Sequence, residues 1–86
     1  MQLEPDEIKA VTTRLKRANG HLASVIRMLE EGAECEDALT QLAAVTRAVN
    51  RAGYALVATG LQHCLAEGGR DSVDMKKLEK VFLALA

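Results

Sequence analysis

Apolar residues in the first third of the chain recur in a three-four rhythm: Ile8, Val11, Leu15, Ala18, Leu22, Val25 and Leu29. That spacing draws one stripe along a helix and matches the seam of a coiled coil. A second series, Leu39, Leu42, Val45, Val49, Ala52, Leu56 and Leu61, runs through a proline-free stretch from Cys35 to Cys64. It predicts one amphipathic helix of about 30 residues, long against a typical helix of about 11–12. Gly53 and Gly60 fall inside it and mark places where a bend is tolerated. A third series, Val73, Leu78, Val81, Phe82 and Leu85, predicts a last helix of about 14 residues.

Local punctuation agrees with three helices. Pro5 suits the first helical position, with Asp6 and Glu7 complementing the dipole of the first turn. Gly32 ends that helix, and Gly32-Ala33 is so tight a connection that the first two helices must lie antiparallel. Gly68-Gly69 closes the second helix, and Asp71 or Ser72 caps the third. The predicted fold is all-α, a single domain over residues 1–86 made of a long helical hairpin and a short C-terminal helix. Aromatic residues are limited to Tyr54 and Phe82, so the core must be aliphatic. Two long helices and one short one cannot cover the apolar surface of the central helix, and such a surface is normally buried in a partner. Two hairpins pairing into an antiparallel four-helix core is the economical solution. A homodimer is the minimum, and a dimer of dimers is compatible with it.

Charge changes the picture. The formal net charge is −1, but its distribution is uneven. Between Ile8 and Leu29 stand five basic residues, Lys9, Arg14, Lys16, Arg17 and Arg27, and no acid. From Ala38 to Ala66 the charged residues are Arg47 and Arg51. A nearly neutral chain presents a basic surface if helix pairing brings these acid-free stretches together. No run approaches the roughly 18 apolar residues of a membrane span, and the N-terminus shows no signal-peptide pattern. The expected compartment is the cytoplasm, where two cysteines are metal-binding, redox-active or inert rather than a structural disulfide.

Cys35 and Cys64 are 29 positions apart, which on one helix is about 44 Å. Neither a metal ion nor a disulfide spans that gap within a chain. If the thiols act together they belong to different subunits. An antiparallel two-fold pairing centred between Val49 and Asn50 sets Cys35 of one chain against Cys64 of the other. As an inert pair they are two small buried hydrophobes. The imidazoles, His21 and His63, show no metal-ligand spacing. No phosphate-binding glycine loop, Cys-x-x-Cys pair or catalytic triad order is present, so an enzyme is not expected.

The segment RLKRANGHLASVIRMLEEGAEC, followed by DALTQLAAV, resembles the CsoR/RcnR family of bacterial transcriptional repressors over about residues 8 to 83. The resemblance implies an all-helical dimer or tetramer that binds operator DNA and releases it when an inducer reaches the cysteine site. It carries DNA contact onto Arg14, Lys16 and Arg17 of the first helix, with Arg51 and Arg47 of the second. Copper-sensing members bind Cu(I) through Cys, His and Cys shared between protomers. The cysteines fall at Cys35 and Cys64, whereas the His position, four before the second cysteine, is Gly60. Two thiols without that histidine resemble the CstR branch, in which a persulfide forms on one cysteine and the partner's cysteine closes a sulfur bridge. The resemblance therefore implies a persulfide-sensing repressor with no resident cofactor. The alternative is a Cu(I)-responsive repressor using Cys35 and Cys64, with His63 as a further ligand.

Overall fold

The computed structural model describes residues 2–67 and 73–85, with the backbone alone at residues 67 and 73. Three helices appear, α1 (Lys9–Glu30), α2 (Cys35–Glu67) and α3 (Val73–Leu85). No strand occurs among the described residues. The predicted glycine stop at residues 68–69 and the cap at residues 71–72 lie outside the described residues.

The start of α1 differs from expectation. Pro5 does not open the helix: Glu7 N–H donates to the Glu4 carbonyl at 3.0 Å. This closes a turn in which the fixed φ of proline suits the second position. The helix begins four residues later at Lys9, behind Ile8 and with no acid in its first turn. The other end follows the glycine rule. Gly32 adopts φ 82°. Ala33 N–H reaches the Met28 carbonyl at 2.9 Å and Gly32 N–H reaches Leu29 at 3.2 Å. These are the paired bonds of a Schellman cap, which needs a left-handed residue where glycine has no Cβ penalty. The chain reverses within four residues, 31–34, and α2 starts with Glu36 and Asp37 in its first turn.

α2 runs unbroken for 33 residues through both Gly53 and Gly60. Its interior threonines bond back to the preceding turn, Thr40 to Glu36, Thr46 to Leu42 and Thr59 to Ala55. The hydroxyls are thereby satisfied without leaving the helix. α1 packs antiparallel along α2, and α3 folds back onto α2. Tyr54 and Phe82 meet edge-on there, ring centroids 5.8 Å apart. A Cβ at Gly53 would lie 3.3 Å from Leu85 Cδ1, so α3 approaches closely at that glycine, and a larger residue there would make Leu85 shift by a few tenths of an ångström.

The core is one seam. Val11, Ala18 and Val25 of α1 are buried, as are Ala38, Val45 and Ala52 of α2. Each set repeats every seven residues, the coiled-coil period. The other half of the predicted stripe stays open: Leu15, Leu22 and Leu29 on α1, with Leu39, Leu42, Val49 and Leu56 on α2. Leu29 and Leu39 each keep 57% of their surface in solvent. The protomer measures 51 × 25 × 13 Å, and its smallest dimension is about the diameter of one helix with its side chains, 10–12 Å. It is a single layer of helices. Its radius of gyration, 16.4 Å, exceeds the roughly 12 Å of a compact domain of this length.

Candidate functional site

Two sets of residues carry chemistry, and the helices hold them in different regions. The first is basic. Arg14, Arg17 and His21 stand three and four residues apart on α1, so they share one stripe. Across the hairpin, Arg51 lies one turn beyond Ala48 on α2. The small side chains of Ala18 and Ala48 leave a groove of about 400 Å³ between the helices, walled by Arg14, Arg17, His21 and Arg51. No carboxylate lines it among the described residues, so the guanidinium groups are not neutralised there. Lys16 and Arg47, expected beside them, are exposed but do not line the groove. Lys16 is two positions from Arg14, about 200° around the helix. Thus the structure gathers three of the five predicted basic residues and leaves two outside.

His21 is the member that charge counting missed. Its Nε2 lies 2.7 Å from Oε1 of Gln41 on α2. Spacing held the signal, since His21 follows Arg14 by seven positions and Arg17 by four. The facing glutamine depends on the register between helices, which periodicity alone does not supply.

The second set is the thiols. Cys35 is exposed at the first residue of α2, whereas Cys64, near the other end of that helix, is 3% exposed. Neither is in a disulfide. Because α2 is unbroken between them, the straight-helix separation of about 44 Å holds within the protomer. His63 turns toward its own N-terminal segment, Nδ1 lying 4.0 Å from Glu7 Oε2. Adjacent residues on a helix point about 100° apart, and here His63 and Cys64 differ accordingly: one faces Glu7, the other is buried. No group of three or more His, Cys, Asp and Glu that could hold a metal ion occurs among the described residues. Gly60, four residues before Cys64, is buried and offers no side-chain ligand.

Comparison with known proteins decides the family. Residues 7–85 match the model of the metal-sensitive transcriptional repressors. The chain belongs to that family. It is 34% identical over 80 residues to the copper-sensing transcriptional repressor CsoR of Mycobacterium ulcerans, covering 93% of this chain and 68% of the relative. Identity to the copper-sensing repressor CsoR of Mycobacterium tuberculosis is 31% over 77 residues, covering 90% and 65%. The copper-sensing repressor RicR of the same organism is 42% identical over 60 residues, covering 65% and 62%. The chain spans about two thirds of the length of these relatives. No solved structure matches it significantly.

The metal-sensitive repressor family is one of transcriptional regulators and not of enzymes, in keeping with the missing catalytic constellations. The wider resemblance to CsoR-type repressors holds, while the relatives named above are copper sensors and none is a persulfide sensor. No helix among the described residues is long and apolar enough to cross a membrane.

Proposed function

We propose that this chain is a DNA-binding repressor whose inducer is Cu(I), held between Cys35 of one protomer and Cys64 of its partner. The observation that carries the reading is the unbroken α2 with a thiol near each end, in a family whose relatives sense copper. Soft thiolate ligands select Cu(I) over harder ions. A single chain keeps its two thiols too far apart for one metal. An antiparallel homodimer, with the exposed leucine face of each hairpin buried against the other, supplies both thiols to each of two equivalent sites. Pairing of two such dimers gives a homotetramer.

The ligand set fits with one qualification of chemistry. Gly60 leaves the family's histidine position empty, so Cu(I) is held by two sulfurs with no imidazole from that turn. His63 is directed at Glu7 and would add a third ligand only on rotating away from it. That same glycine favours a second reading, in which the two thiols answer reactive sulfur. A polysulfide passes one sulfane sulfur to one thiolate and leaves as the shortened polysulfide; the partner's thiolate then attacks the inner sulfur of that persulfide, expelling hydrosulfide and joining the protomers by a disulfide.

DNA is held by Arg14, Arg17 and Arg51 in the groove, with Lys16 and Arg47 as outlying phosphate contacts. Affinity then comes mainly from the backbone charge, with steep salt dependence. Inducer binding must favour the arrangement with lower DNA affinity, a coupling of about 1–3 kcal/mol, or 5–150-fold. The test is DNA binding and intact mass after Cu(I), polysulfide and hydrogen peroxide in turn. Copper reading: Cu(I), retained against a competing chelator, releases the DNA, and neither Cys35→Ser nor Cys64→Ser responds while both still bind DNA. Release by polysulfide with a sulfur-bridged dimer, and no chelator-resistant Cu(I), overturns it in favour of the sulfur reading.

A further inference from the structure

Phosphate recognition by arginine alone leaves one side chain of the groove without a task. His21 shares it with Arg14, Arg17 and Arg51 and is tethered across the hairpin to Gln41. We propose that the groove is a seat for one phosphate group, and that His21 is its fourth ligand, acting as the imidazolium. In the DNA complex that group is a backbone phosphodiester. The inference rests on the DNA-binding reading above and adds to it a residue and a proton.

The tether explains how the ring can act. Neutral histidine has one N–H and one lone pair, whereas the imidazolium donates from both nitrogens. With Nε2–H donating to the Gln41 carboxamide oxygen, the neutral ring presents the Nδ1 lone pair as its second polar atom, which repels an anion. Once protonated, Nδ1 becomes a donor and the Nε2 bond to Gln41 is kept. The bond thus fixes the tautomer, as a partner on one ring nitrogen generally does for the other.

The charged groups that line the groove with the ring are of one sign. α1 contributes Arg14 and Arg17, and α2 contributes Arg51 and the neutral Gln41. On α2, Asp37 stands one turn before Gln41 on the same face and Glu36 five residues before it; neither lines the groove. α3 packs on α2 and makes no contact with α1 among the described residues. No carboxylate lines the groove among the described residues, so the negative charge that pairs with the imidazolium arrives with the phosphate. By linkage, phosphate binding takes up a proton, and binding tightens as pH falls.

Two arms test this. Anisotropy of a labelled duplex is measured at constant salt from about pH 8 to about pH 6, the range that histidine titration covers. Wild-type affinity is expected to rise across that range, by at most about tenfold per pH unit for each groove engaged, the limit for one linked proton. His21→Gln is expected to lose most of that rise, and Gln41→Leu, which frees the ring, part of it. Equal pH profiles for wild type and His21→Gln overturn the proposal. The second arm needs no variant and no DNA: inorganic phosphate is titrated into the reduced wild-type protein while the His21 ring resonances are followed against pH. A phosphate-dependent upward move of the His21 midpoint supports the seat, and an unmoved midpoint overturns it. A protein that shows this move but binds no duplex retains the phosphate seat and loses the DNA reading.

Discussion

The two sides of the hairpin are built from different side chains. Inside, facing each other, are Val11, Ala18, Val25, Ala38, Val45 and Ala52. Outside, partly open to solvent, are Leu15, Leu22, Leu29, Leu39, Leu42 and Leu56. Alanine and valine let two helix axes approach closely, toward the short end of the usual 8–10 Å. Leucines fill wider gaps between helices and gain most when water is removed from them, about 1.5–3 kcal/mol each when fully buried. The protomer therefore holds its smallest apolar residues in the contact it makes itself. Its largest are on faces left open in the protomer, which the proposed dimer would cover. A single layer of helices has no second layer to pack on; in the proposed dimer, folding would be linked to protomer concentration.

The largest expected effect comes from breaking the outer side. Leu42→Glu places a carboxylate within the proposed two-fold pairing, about 11 Å along α2 from its centre, and it occurs there twice. If that face is covered, the cost is several kcal/mol per site. The variant should then sediment as a monomer and lose most of its helical circular dichroism. If the face is bare, a surface substitution costs within about 0.5 kcal/mol and neither signal moves. Val25→Ala is the inner counterpart. It removes buried methyl groups, about 0.8 kcal/mol for each carbon, and should lower Tm while leaving a dimer at high concentration.

A smaller effect separates residues inside the groove from those outside it. Arg14→Ala should weaken binding to all duplex sequences and reduce the slope of log affinity against log salt by about one. Lys16→Ala, outside the groove, should do so by less. Equal losses would show that the groove is no special locus for phosphate.

The smallest effect compares two helical glycines. Replacing either by alanine offers about 1 kcal/mol of helix propensity. At Gly20 a new Cβ meets nothing within 4 Å, so Gly20→Ala should raise Tm by a few degrees. At Gly53 it meets Leu85 at 3.3–3.4 Å, so the gain should be largely cancelled. A larger rise for Gly53→Ala would mean that α3 does not hold Leu85 there.

The three helices, the hairpin and the thiols near the two ends of α2 were legible in sequence, because apolar period, glycine stops and residue spacing are local properties. The division of the α1 stripe was not. Val11 and Leu15 belong to the same three-four rhythm, and which of them meets α2 depends on how the helices rotate against each other. Pro5 misled for a related reason: its fixed φ serves a turn as well as a first helical position, and the bond from Glu7 to Glu4 selects the turn. Among the basic residues, charge segregation pointed to the two stretches whose arginines wall the groove. The groove, however, also required Ala18 and Ala48 to be small and Gln41 to face His21, and both are matters of register.

The central claim is that a working site takes Cys35 from one protomer and Cys64 from another. Mixed dimers test it directly. Cys35→Ser subunits and Cys64→Ser subunits carrying different tags are co-expressed, the doubly tagged dimer is purified, and chelator-resistant Cu(I) is counted per dimer. The mixed dimer retains one complete site and should bind one Cu(I), while each pure variant binds none. A mixed dimer that binds none, or a pure variant that binds as wild type does, would contradict the claim.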